Sequence, residues 1–203
     1  MNTNCQSAAR ICAAALFIVF LSSPSSAQRG AITLPQNLGE LVDEAAVIVR
    51  GQVVSARAEP HPDLQGLPTV VVMLRVAETL KGTTEAAFTF RQFVWDVRDR
   101  SESRGYRKGD HLLLLLIKPS PYGLSSPAGL EQGRFRIVLD STGRQVAVND
   151  HGNAGLFREL APRLKAKGVA LSPRLAAMVA QASPGAVPLD DLRELIRQMA
   201  GSK

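Results

Sequence analysis

Cysteine is nearly absent from this chain: Cys5 and Cys12 are its only two, and both lie in the opening segment. If that segment is removed, no thiol remains, which excludes a disulfide framework for the rest. Histidine is scarce as well, with His61, His111 and His151 alone. Beyond Asp150-His151 and His61-Pro62-Asp63, none has a second ligand at helix or hairpin spacing, so no zinc motif is present. Aromatic residues make up 5% of the chain, with Trp95 the single tryptophan. No phosphate-cradling glycine loop or dinucleotide fingerprint occurs, and we expect neither cofactor nor metal.

No apolar run reaches the roughly 20 residues of a membrane span. The longest near the start, Ile11 to Leu21, follows Arg10 and precedes small residues ending Ser25-Ser26-Ala27. A charged start, a short apolar centre and small residues before a cut describe a secretory signal peptide over residues 1–27. The pattern predicts cleavage after Ala27 and a periplasmic or secreted product. Leu21-Ser22-Ser23-Pro24 offers no cysteine for lipid, so no membrane anchor is expected after the signal is removed.

Charge is the other imbalance. The formal net charge is +6, and loss of Arg10 with the signal lowers it by one. That excess permits an anionic partner without requiring one. The densest basic stretch, Arg91 to Lys108, interleaves Asp96, Asp99 and Glu102, as a solvated loop would.

Residues 28–36 form a short lead segment. Asn37 and Glu40 have the spacing of a capping box, and Leu38, Leu41, Val42 and Ala45 fall on one face of the short helix it would start. From Val47 the apolar period becomes two, which predicts a strand, with Gly51 marking a bulge or a sharp coil. Further strands are predicted over Thr69 to Leu80, Ala87 to Trp95, Asp110 to Ile117, Arg134 to Leu139 and Gln145 to Val148. Leu112 to Ile117 is apolar on both faces, which places this strand between the sheet interior and a covering helix. In the next strand, Phe135, Ile137 and Leu139 are expected inward.

Short strands joined by glycine-containing turns, with no long helix between them, predict an antiparallel sheet closed or nearly closed on itself. We assign residues 37–152 to a small OB-like β-barrel and 153–203 to a helical extension. In that extension Asn153 is expected to cap a helix that Pro162 kinks, residues 168–188 read as either a loose helix from Ser172 or a linker, and Leu189, Leu192, Leu195, Ile196 and Met199 form the stripe of a last helix packed on the barrel. Asp190 and Asp191 point apart on that helix and suit its positive start better than paired acid–base chemistry.

Gly123-Leu124-Ser125-Ser126-Pro127 superficially suggests a nucleophile elbow, but an elbow needs glycine two residues after the serine. Pro127 and Ala128 stand there instead. The stretch fits an ordered crossing between strands better than a catalytic loop. A nucleic-acid face would need aromatics among basic residues; Phe93, Trp95, Arg98 and Tyr106 approximate one weakly, and nucleic acid is not the expected partner.

Three stretches, "ELVDEAAVIVRGQVV", "VAETLKG" and "KGDHLLLLLIKPSPYGLSSPAGLEQGRFRI", resemble an uncharacterised family of exported bacterial proteins. The barrel of that family is similar to the OB-type domain of the netrin and tissue-inhibitor-of-metalloproteinase class. The resemblance covers roughly residues 38–157 and implies a mainly β, TIMP/netrin-like fold and a non-catalytic binding module, with a secreted protein such as a protease as partner. Inhibitors of that class chelate zinc through an amino-terminal cysteine, which a chain beginning at Gln28 lacks, so that mechanism does not carry over.

The expected contact surface is the loop side carrying Trp95, Arg98, Arg100, Tyr106, Tyr122 and Arg134. The competing classes are a small secreted hydrolase using Ser125 or a histidine such as His151, and a polyanion-binding protein.

Overall fold

The structure of the chain is a computed structural model that describes residues 34–94, 105–181 and 183–201. The expected signal peptide and the candidate site residues Trp95, Arg98 and Arg100 lie outside these. The described residues belong to one compact unit. They are mainly β, with seven strands in one antiparallel sheet: β1 (Ala45–Pro60), β2 (Pro68–Lys81), β3 (Ala87–Phe93), β4 (His111–Ile117), β5 (Arg134–Leu139), β6 (Gln145–Asn149) and β7 (Val187–Pro188). Four helices accompany them: α1 (Leu38–Glu44), α2 (Leu160–Ala166), α3 (Pro173–Gln181) and α4 (Leu189–Gly201). No described helix is long and apolar enough to cross a membrane.

Strand order is β3-β2-β1-β4-β5-β6-β7, which leaves β3 and β7 as edges that do not pair with each other. The sheet is therefore not closed strand to strand, contrary to the expectation from sequence. The reason lies at β4, whose outer edge carries the sheet onward to β5 through Leu112 to Leu114 instead of returning it to β3.

Local chemistry sets the elements. The Asn37 side chain accepts from the Glu40 amide at 3.0 Å, and the Glu40 carboxylate accepts from the Asn37 amide at 2.8 Å, so the capping box forms as its spacing predicted. At the other end of α1, Lys81 Nζ donates to the Val42 carbonyl at 2.6 Å and also to that of Ala45. A seven-residue helix is thus held by side chains at both termini. In β1 the register shifts between Arg50 and Gly51, and a Cβ on Gly51 would stand 2.6 Å from the Arg75 carbonyl oxygen. Glycine permits this close approach, and the bulge adds twist to the longest strand pair.

Two apolar clusters result. One, containing Val49, Val53, Val70, Val72, Leu74 and Phe90, lies on one face of β1–β4. The other joins α1, α2 and α4 to the opposite face of the sheet through residues such as Ile48, Leu113, Leu115 and Phe135. Strand β4 contributes to both: Leu112, Leu114 and Leu116 face the first, while Leu113 and Leu115 face the second, and all five are buried. This is the two-faced burial that the unbroken leucine run predicted.

The segment from Asn153 onward shares this core. Leu189, Leu192, Leu195, Ile196 and Met199 of α4 pack into the second cluster, and β7 adds a strand beside Val146 and Ala147. Residues 173–181 are helical, resolving the alternative between helix and linker there. Asn153 does not cap a helix. It adopts a left-handed conformation, and its side chain accepts from the amide of Asn149 while donating to the carbonyls of Ala147 and Gly185. The helix starts later, at Leu160, which puts Pro162 in its first turn, where a missing N–H costs no helical bond. Leu139, expected inward, is 67% exposed. The β5–β6 hairpin outruns its neighbours, because pairing with β4 stops at Arg136 and β7 covers only Val146 and Ala147.

Candidate functional site

The loops of interest gather at one end of the sheet, where the β1–β2 turn, the close of β3 and the crossing between β4 and β5 meet. At the turn, His61 is buried. Its Nδ1 accepts from the amides of Asp63 and Leu64, both at 3.1 Å, which leaves the proton on Nε2 to donate to the Tyr122 carbonyl at 2.9 Å. A histidine whose two ring nitrogens are spent on backbone groups is an anchor between loops. Its own amide donates to Leu67, closing the turn.

Tyr122 rides on a tightly bonded turn. The Ser120 hydroxyl oxygen accepts from the amides of Tyr122 and Leu124, while Gly123 donates to the Ser120 carbonyl and Ser120 donates to that of Leu124. Pro119 and Pro121 flank Ser120 and restrict its neighbours' backbone angles. The Tyr122 backbone is therefore fixed while its side chain is exposed, at 58%.

From Leu124 the chain bridges two strands. The Ser125 amide donates to the Arg91 carbonyl of β3, Ile117 of β4 donates to Ser126, and Ala128 donates to Leu115. The Ser125 hydroxyl donates to the Ile117 carbonyl at 2.8 Å. That hydroxyl ties the crossing to β4, and the residue is buried. His61, the histidine nearest in the bonding scheme, spends both ring nitrogens elsewhere.

Beside the turn lies an apolar groove of about 260 Å³, lined by Ala58, Pro60, Leu67, Pro68 and Val94. Its polar rim is braced: Thr69 donates to the Glu59 carbonyl at 2.7 Å, and Arg91 donates to the Thr69 hydroxyl at 2.8 Å and to the Glu59 carboxylate at 3.4 Å.

Two other residues expected at the contact surface lie in the interior. Tyr106 is fully buried, its hydroxyl donating to Gln92 at 2.7 Å and its ring set edge-on to Phe90 with centroids 5.7 Å apart. Arg134 is buried too, paired with Glu131 at 2.8 Å and with Asp150. Burial works against the Arg134 charge, but Tyr106, Glu131 and Asp150 outweigh it and hold the guanidinium above its usual range. Gly105 has a positive φ of 80°, and a Cβ there would stand 3.0 Å from the Arg134 guanidinium. Of the described site residues, only Tyr122 therefore presents a side chain outward.

His111 and His151 are not brought to this end by any hydrogen bond, and no group of three metal-ligating side chains exists among the described residues. Sequence reading missed His61 and Ser120. The Pro-Ser-Pro triplet carried a signal for Ser120, because such a serine has few partners but nearby amides. No family model, curated protein or solved structure matches this chain.

Proposed function

We propose that this is an exported, non-catalytic binding module that recognises a protein partner through the end of the sheet bearing Tyr122. The observation that carries the reading is the exposed Tyr122 side chain on a backbone fixed by His61 and Ser120, with an apolar groove on the same β1–β2 turn that holds His61. A tyrosine held this way offers a large amphipathic contact at small entropic cost, the property that enriches aromatics among binding hot spots. Export follows from the signal-like pattern of residues 1–27, and a partner in the envelope or outside the cell follows from export.

The finer fold reading is an OB-type wrap of the kind found in the netrin and tissue-inhibitor-of-metalloproteinase class. In its support, β1–β4 all contribute to one apolar cluster, and Leu124 to Ala128 hydrogen-bond to both β3 and β4. A hydrolase built on Ser125 is disfavoured because its hydroxyl already donates to Ile117.

The test is affinity capture from the envelope and medium fractions of the producing cell. Wild-type protein is expected to retain a stoichiometric polypeptide that Tyr122→Ala loses. Equal capture by both proteins would refute the assignment, as would turnover of an ester, peptide or glycan substrate abolished by Ser125→Ala.

A further inference from the structure

Strand β3 is an edge, and its hydrogen-bonding phase can be read from its two ends. Val76 donates to the Ala86 carbonyl just before β3, and Val94 donates to the Pro68 carbonyl just after it. The register between β2 and β3 is unbroken from Arg75↔Ala87 to Thr69↔Phe93. Alternation in an antiparallel ladder then turns the backbone groups of Phe88, Phe90 and Gln92 toward β2, and those of Ala87, Thr89 and Arg91 away from the sheet. The bond from Ser125 to the Arg91 carbonyl agrees with this phase.

Arg91 is thus served by the crossing segment, where Leu124 bridges it in parallel orientation. Ala87 and Thr89 are exposed and have no partner on their outer side among the described residues. The usual guards of a free edge are missing from Ala87 to Phe90, which contains no proline, no charge and no register shift. On the inner face, half-buried Phe88 stacks with Phe90 at 6.3 Å, so a strand added here would cover aromatic surface as well as satisfy backbone.

We propose that the outer edge of β3 at Ala87 to Thr89 receives an extended peptide from a partner by strand addition, with an apolar side chain of the peptide set beside Phe88. The Leu124 bridge at Arg91 fixes where the added strand must end. A second copy of this chain is the poorer occupant, because its β3 brings its own Leu124 crossing at Arg91 to the pairing, whereas a free peptide can end before the crossing. The proposal does not rest on the Tyr122 surface.

The experiment selects binders from a displayed library of random peptides on the purified protein, then titrates the enriched peptides against variants. Thr89→Pro removes an outward N–H that the fold does not use, a position where proline is tolerated. Thr89→Val changes the side chain and keeps that N–H. Peptides are expected to bind wild type, Thr89→Val and Tyr122→Ala alike, and Thr89→Pro about tenfold or more weakly, the loss that follows from breaking one or two backbone bonds. Hydrogen exchange at the Ala87 and Thr89 amides of the wild type is expected to slow on binding, a readout that stands even if Thr89→Pro misfolds. Equal binding by folded Thr89→Pro, unchanged exchange at both amides, or a library that enriches nothing would overturn the proposal.

Discussion

The Arg134 guanidinium carbon lies 4.9 Å from the centroid of the Tyr106 ring, with both residues buried. The cation sits on the π face while the Tyr106 hydroxyl reaches Gln92 of β3, so one tyrosine joins a buried charge to the sheet. Tyr106→Phe keeps the ring and removes the hydroxyl, leaving Gln92 without that donor. We expect a loss of about 1–2 kcal/mol in urea unfolding. A neutral result would show that Gln92 is satisfied without the tyrosine.

Glu78 is the electrostatic junction between α4 and the sheet. Its carboxylate accepts from Arg193 at 2.7 Å, from Arg50 at 3.2 Å and from Arg197. Burial acts to raise its pKa, but the bonds from Arg193 and Arg197, with the charge of Arg193 and the bond from Arg50, bring it down to about 2. A carboxylate depressed below its unfolded value of about 4.3 contributes stability above that value, and the contribution is lost as pH falls toward 2. The stability difference between wild type and Glu78→Gln should therefore be largest near neutrality and shrink between about pH 5 and 2. A difference independent of pH would contradict the ion-pair account.

Leu113 and Leu114 are adjacent in β4 and serve different cores. Because both are fully buried, Leu113→Ala and Leu114→Ala should each cost about 2–5 kcal/mol. In a strand with one solvated face, one of the two would be nearly silent. Parallel denaturation curves separate these cases.

Gly51→Ala places a methyl group 2.6 Å from the Arg75 carbonyl oxygen, with backbone rather than a flexible side chain in the way. The expected cost is about 1–3 kcal/mol, read as a lowered thermal midpoint. Gly143→Ala is the control for glycine replacement in open space, since nothing lies within 4 Å of its Cβ position, although its positive φ of 79° carries a conformational cost of its own.

What the sequence revealed was what depends on near neighbours. Asn37 and Glu40 cap each other within one turn, and the leucine run of β4 states its own two-faced burial. Gly51 marked its bulge because a strand interior rarely selects glycine. What stayed hidden depends on distant partners. Alternation placed Leu139 on the same face as Phe135, but the exposure of Leu139 follows from where β4 pairing stops. Tyr106 reads as part of a solvated charged stretch and Arg134 as a contact residue at the head of a strand, and only folding brings Gln92 and Asp150 to them. Closure of the sheet was inferred from strand lengths and turns, which do not say whether β4 hands its edge to β3 or to β5. Within the site, Tyr122 could be named, whereas the burial of His61 required the backbone of the crossing.

We propose that a partner touches this protein at the end of the sheet bearing Tyr122. A photo-crosslinking amino acid placed at position 122, with a second protein carrying it at the comparably exposed position 139 of the β5–β6 hairpin, tests this in the producing cell. We predict a discrete protein adduct from position 122 and none from position 139. An adduct from 139 alone, or from neither position, would contradict the claim.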